Sequence, residues 1–167
     1  FIPGPATLLT VARATTSGTK VGIATGAGIT AGDFLHTIMA VIGISAIIAA
    51  SATLFSIVKY LGAAYLVYLG LRALFAKASV DLGQGRVPIT ASLAFRQAIL
   101  AEILNPKTAL FFLAFLPQFV MPENGFVVMQ LTILGIIFAL IVLFSTVAYS
   151  VAAGGLGHFL RRTPRDH

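Results

Sequence analysis

An all-α, polytopic membrane helix bundle is the fold class this sequence predicts, and three observations carry it. Apolar residues make up 58% of the chain and charged residues 10%, against roughly 45–50% and about 25% in soluble globular domains. With a mean hydropathy of +0.99, a chain of 167 residues cannot hide that much apolar surface from water, so lipid must be the solvent for much of it. The apolar residues also fall in runs too long for strands, without the roughly ten-residue alternating segments of a membrane barrel. Finally, one short phrase is written twice, as Gly4-Pro5-Ala6-Thr7-Leu8-Leu9 and as Asn105-Pro106-Lys107-Thr108-Ala109-Leu110. A proline inside a helix removes a backbone hydrogen bond and clashes with the preceding turn. In lipid such a defect persists only where protein or a water-filled cavity satisfies the freed groups.

Five apolar spans follow in order, and each predicts a helix. Span A covers residues 1–14. Span B covers 22–50, and a tight turn near Ser51 leads into span C at 53–75. The stretch 76–92 holds Asp81, Gly83, Gly85, Arg86 and Pro88 and predicts the one substantial loop. Span D covers 93–120 and stops at the turn signal Pro122-Glu123-Asn124-Gly125. Span E covers 126–153, after which a Gly-rich, basic tail, residues 154–167, is expected to close the chain.

Loop charges orient these spans. Arg13 and Lys20 stand between A and B, Arg72, Lys77, Arg86 and Arg96 around the C–D connection, and Arg161, Arg162 and Arg165 after E. The B–C turn has no charge and the D–E turn only Glu123. The positive-inside rule therefore places A–B, C–D and the tail in the cytoplasm. Span A then runs inward and span D outward, so the two proline phrases face opposite ways. That is the signature of an inverted three-plus-three repeat with its site near the midplane, residues 1–75 forming the first repeat, 76–92 a cytoplasmic loop and 93–167 an incomplete second repeat. A helix over residues 1–14 would be only about 21 Å long, short of the roughly 30 Å hydrocarbon core. The chain also begins at Phe1, and no sixth span follows E. The expectation is a fragment lacking the start of the first helix and all of the sixth; the other reading is five complete spans with a re-entrant first segment.

Several phrases together resemble one known family. They are Pro3-Gly4-Pro5 with Leu8-Leu9 and Arg13; Gly22, Gly26, Gly28 and Gly32; Lys59-Tyr60-Leu61-Gly62-Ala63-Ala64-Tyr65-Leu66 with Tyr68-Leu69-Gly70; and Asn105-Pro106-Lys107 with Phe111-Phe112 and Leu116-Pro117-Gln118-Phe119. In this order and spacing, over nearly the whole chain, the sequence resembles the LysE/RhtB superfamily of bacterial amino-acid exporters. The resemblance implies a six-helix inner-membrane secondary transporter that exports amino acids or close derivatives, driven by protons. That family often carries Asn after the first Pro-Gly-Pro, where this chain has Ala6, so an amide role is not carried over.

The candidate substrate and pathway residues are Pro3, Gly4, Pro5, Thr7, Asp33, His36, Glu102, Asn105, Pro106, Lys107 and Thr108. The two breaks expose backbone groups, and half-helix N-termini suit a carboxylate. Thr7 and Thr108 hold equivalent places in the two phrases and can bond the freed backbone or the substrate. Asp33 and His36, three apart on span B, share a face. Ionisable groups inside a membrane are costly and tend to line pathways or proton relays, and an imidazole titrates near neutral pH. Glu102 precedes the second break by about one turn, and Lys107 follows it. Lys59 sits near the outer end of span C, where its stem can snorkel.

Other classes fit poorly. The net charge of +6 is dispersed between apolar blocks, unlike a nucleic-acid surface. The absence of cysteine excludes disulfides and thiolate metal sites. With no nucleotide motif, metal cluster or nucleophile–base set, no cofactor and no enzymatic reaction are expected. The expected partners are an amino acid, protons and the bilayer, with a homo-oligomer left open. The competing function is an intramembrane enzyme or a passive channel using Asp33, His36 and Glu102. The glycines four apart on span B are read as close helix contacts, and Tyr60, Tyr65, Tyr68, Phe111, Phe112 and Phe115 as mostly lipid-facing or core.

Overall fold

The computed structural model describes residues 5–75 and 88–162, with side chains for 6–75 and 88–155. Among these residues the secondary structure is helical throughout, in the order α1 (Pro5–Ser17), α2 (Thr19–Ala50), α3 (Ala52–Phe75), α4 (Ala91–Ile103), α5 (Pro106–Phe115) and α6 (Val127–Arg162). Short 3-10 turns at Leu116–Gln118 and Pro122–Asn124 lie between α5 and α6. Three of the described helices, α2, α3 and α6, are long and apolar enough to cross a membrane. A fourth span results if α4 and the α5 segment, bent by 61° at their break, count as one.

Local chemistry sets the ends. Proline at the first position of α1 loses only an amide that has no helical partner there. Gly18 adopts φ +96° and donates its N–H to Ala14 O at 3.0 Å, a left-handed cap that ends α1 and frees α2 to start one residue later. Ser51 alone separates α2 from α3, and its Oγ accepts from Leu54 N at 3.2 Å. Thr90 Oγ1 likewise accepts from Leu93 N at 3.3 Å at the head of α4. Before α6 the backbone turns through left-handed Gly125 and Phe126. The Gln130 amide holds that turn, donating to Met121 O and Gly125 O and accepting from Met121 N.

Three expectations shift. Helix α1 continues to Ser17, so Arg13 belongs to a helix rather than to a loop. Helix α4 begins at Ala91, inside the expected loop, of which residues 76–87 lie outside the described residues. The tail expected from Gly154 is helical to Arg162. Glycine lowers helix propensity by only about 1 kcal/mol, and Gly154 stands where a β-carbon would overlap Thr19, so tertiary contact outweighs propensity there.

The chain divides into two compact units, each drawing on segments far apart in the sequence. Within the described residues one unit comprises 5–32, 88–102 and 140–162, and the other 33–75 and 103–139.

Small residues organise the first unit. A β-carbon on Gly26 would lie 2.5 Å from Thr146 Oγ1, and one on Gly28 2.5 Å from Phe95 O. Glycine at these places lets α6 and α4 approach the backbone of α2, as the sequence spacing suggested. Phe95, Ala98 and Ile99 stand at Gly28 and Glu102 at Gly32, so α2 and α4 run parallel. Ala94, Ala98 and Glu102 are the buried positions of α4, one stripe at four-residue spacing.

In the second unit an apolar core joins Ala40 and Ile44 of α2, Phe55 of α3, Phe112 and Leu116, Val120, and Leu131 of α6. Phe111, Phe115 and Phe138 pack around it, with the Phe111–Phe115 rings stacked at 5.1 Å and Phe112 meeting Phe138 edge-on at 5.0 Å. Gly62 of α3 lies against the Ala114 backbone. Beside it, Gln118 donates to Lys59 O at 2.8 Å and Ala114 O at 3.0 Å, tying α3 to the end of α5. Outward-facing Phe34, Leu35, Ile38, Met39 and Ile42 of α2 are exposed, the apolar face that a bilayer would cover.

Candidate functional site

Asp33 lies near the midpoint of α2 (Thr19–Ala50) and is 4% exposed; His36 is 2% exposed and Thr37 is buried beside them. The i, i+3, i+4 spacing places all of them on the inward stripe, opposite the exposed Phe34, Leu35 and Ile38. The His36 ring stacks on Phe112 of α5 at 6.1 Å and 20°. Thr37 Oγ1 donates to Asp33 O at 3.0 Å, and Gly135 of α6 stands so close to Thr37 that a β-carbon there would overlap it. An acid and an imidazole are therefore buried where α2, α5 and α6 meet in the second unit. Burying ionisable groups at membrane depth is expensive, which makes this pair the strongest site candidate among the described residues.

The break ahead of α5 is a structured feature. The bend follows a proline that cannot donate into the preceding helix. Asn105 sits in an extended conformation, φ −83° and ψ 102°, and its side chain accepts from Lys107 N at 3.1 Å. That cap takes one of the amides expected to face substrate, because an asparagine at the N-cap competes for the first-turn donors. Pro106 and Lys107 are exposed and Thr108 is half-buried. Thr108 lies one helical turn before Phe112, on the α5 face that meets His36.

Glu102 belongs to the first unit, 7% exposed in the last turn of α4, with its Cβ and Cγ against Gly32. Pro3 and Gly4 lie outside the described residues; Pro5 is the first residue of α1. Thr7 is half-buried, whereas Thr10 is fully buried and returns its hydroxyl to Ala6 O at 2.9 Å. Among the described residues no group of three or more His, Cys, Asp or Glu is placed to hold a metal.

Two side chains gain importance that the linear sequence did not assign. Arg13 donates from Nη1 to Ala94 O at 2.9 Å and from Nη2 to Gln97 Oε1 at 2.8 Å, joining α1 to α4. Gln118 joins α3 to α5 as described above. Both partners are more than 50 residues away in sequence, so no local pattern marks them; in the sequence Arg13 stands out only as a topology charge, and both residues only as parts of family phrases.

Apolar helices of membrane length with lipid-suited faces, one of them broken at an Asn105-capped proline, describe a multi-pass membrane protein. Residues 1–163 match the LysE type translocator family, and the chain belongs to that family. It is 39% identical over 150 residues to the uncharacterized membrane protein YrhP of Bacillus subtilis (strain 168), covering 84% of this chain and 71% of that protein. An uncharacterized membrane protein of Vibrio cholerae is 30% identical over 159 residues, 95% of this chain and 77% of its own length. The leucine efflux protein of Salmonella typhimurium is 35% identical over 126 residues, 72% of this chain and 57% of that protein. No solved structure matches the chain significantly.

Proposed function

We propose that this protein is a secondary transporter that exports amino acids or close derivatives across the bacterial inner membrane, coupled to proton movement inward. The observation that carries the proposal is the burial of Asp33 and His36 together at the middle of a membrane-length helix, against the helix that follows the proline break. Charge at that depth costs several kcal/mol unless it lines a path or is neutralised. A carboxyl that alternates between protonated and ionised forms can change the charge facing the path as substrate leaves. Membership of a translocator family and likeness to leucine efflux proteins support an amino-acid substrate, with neutral apolar amino acids the first class to test.

In this reading Thr108 and the backbone around Asn105-Pro106 face the substrate near Asp33 within the second unit, and Pro5 and Thr7 are further candidate pathway residues in the first. Residues 1–75 and 93–167 are read as inverted repeats of a six-helix protein, a design in which broken helices form the site. Amino-acid pools inside and outside cells overexpressing the full-length protein test the function. The expected result is a rise in one or a few amino acids in the medium, abolished by a protonophore. Unchanged pools across all amino acids would overturn the export reading. A rise that persists in protonophore would favour a passive channel.

A further inference from the structure

Resting on the exporter reading, we propose that a cavity where α1 joins α2, walled by α6 and lying within the first unit, is a loading site that holds the amino acid by its α-ammonium group. The cavity measures about 630 Å³, inside the roughly 300–1,000 Å³ range of small-molecule sites. That is far more room than a metal ion needs, whose oxygen ligands close to about 2–2.6 Å. Among the described residues no charged side chain lines it. Thr15, Ser17 and Thr19 supply oxygen around the last turn of α1, and Ala14, Pro88 and Val151 supply apolar surface.

The chemistry of these walls selects a donor. Thr15 Oγ1 gives its proton back to Val11 O and Ala12 O, at 3.0 and 2.9 Å, so any other bond it makes must be as an acceptor. The last turn of α1 borders the cavity and carries the negative end of the helix dipole, which favours a cation. An ammonium group has three donors and no acceptor, and it fits such a wall; a carboxylate, which only accepts, does not. The aliphatic part of the same molecule then lies against Ala14, Pro88 and Val151. The space is held open by the protein itself. Ile89 N donates to Ser17 Oγ at 3.2 Å, fixing the Pro88 wall to the end of α1. Gly154 lets Thr19 stand against α6 where a β-carbon would overlap it, and a β-carbon on Gly155 would meet nothing within 4 Å. Walls ordered before binding raise affinity. On the positive-inside assignment this end of α1 faces the cytoplasm, the side from which an exporter takes its cargo.

Thiol protection tests this, in full-length protein whose single cysteine is Val151→Cys. Val151 lines the cavity and is 54% exposed, so the introduced thiol is within reach of a water-soluble maleimide. Labelling is timed with leucine, with leucinamide, which keeps the ammonium and loses the carboxylate, and with isocaproate, which keeps the carboxylate and lacks the ammonium. Leucine and leucinamide should each slow labelling severalfold, and isocaproate at the same concentration should leave it unchanged. Failure of leucine or of leucinamide to protect, or equal protection by isocaproate, overturns the proposal. Gly155→Phe, added to fill the cavity, should bring the rates with and without leucine together. Protection that survives in that variant comes from a change elsewhere and also overturns it. If wild type exports no amino acid of a complete panel, the exporter reading itself fails. Export by wild type without protection at Val151→Cys removes only this site.

Discussion

Asp33 and Asn105 show how single side chains shape the candidate site. Asp33 and His36 could be paired from the sequence because a three-residue step returns to the same helix face, and both are buried. Asn105 looked like a residue left open by a break, yet its side chain closes the first turn of α5. An N-cap asparagine contributes about 0.5–2 kcal/mol relative to alanine. Asn105→Ala should therefore lower the thermal midpoint of the detergent-solubilised protein, while Asn105→Asp, which keeps the acceptor, should restore most of it. An Asn105→Ala protein with unaltered melting would show that the cap bears no weight. Arg13 marks the limit of linear reading. Its charge was visible and suited a loop, but its partners Ala94 and Gln97 come from a helix some eighty residues on.

At the level of elements, close approach replaces a water-driven core. Lipid gives apolar helices little reason to separate from it, so packing contact and small residues decide which helices meet. The spacing of Gly22, Gly26, Gly28 and Gly32 was legible as a contact surface, and each of these glycines is occupied by a neighbour. Which neighbour was not legible, because spacing carries no partner identity. Gly28 faces the backbone carbonyl of Phe95, an atom that cannot rotate away, whereas nothing lies within 4 Å of a β-carbon at Gly43. Overpacking of this kind costs typically about 1–3 kcal/mol. Gly28→Ala should lower stability or membrane yield, measured by fluorescence size-exclusion after heating, while Gly43→Ala should match wild type. Equal behaviour of the two would contradict the close-contact account. The same logic applies to Gln118, whose amide satisfies two carbonyls on different elements. Its loss in Gln118→Ala should cost about 1–3 kcal/mol, read as a lower thermal midpoint, and an unshifted midpoint would argue against the tie. The run of α6 past Gly154 is not legible in the sequence, because the contact with Thr19 that requires a glycine there is made only in the folded chain.

Across the whole molecule, the helical class and the boundaries of α2 and α3 followed from hydropathy alone, since an apolar run of more than twenty residues has few other solutions in lipid. Hydropathy says less about association: the two compact units each gather segments from distant parts of the chain, because α2 and α6 are long enough to serve both. The family assignment identifies a translocator, and the proposed mechanism assigns proton coupling to the buried acid of α2. The most direct test uses full-length protein in vesicles loaded with leucine, comparing wild type with Asp33→Asn, which keeps shape and removes titration. Acidifying the outside should accelerate leucine efflux severalfold from wild-type vesicles. The variant should stay at the rate measured without a gradient, yet still exchange internal for external leucine. Undiminished gradient-driven efflux by Asp33→Asn would contradict the account and move coupling away from this residue.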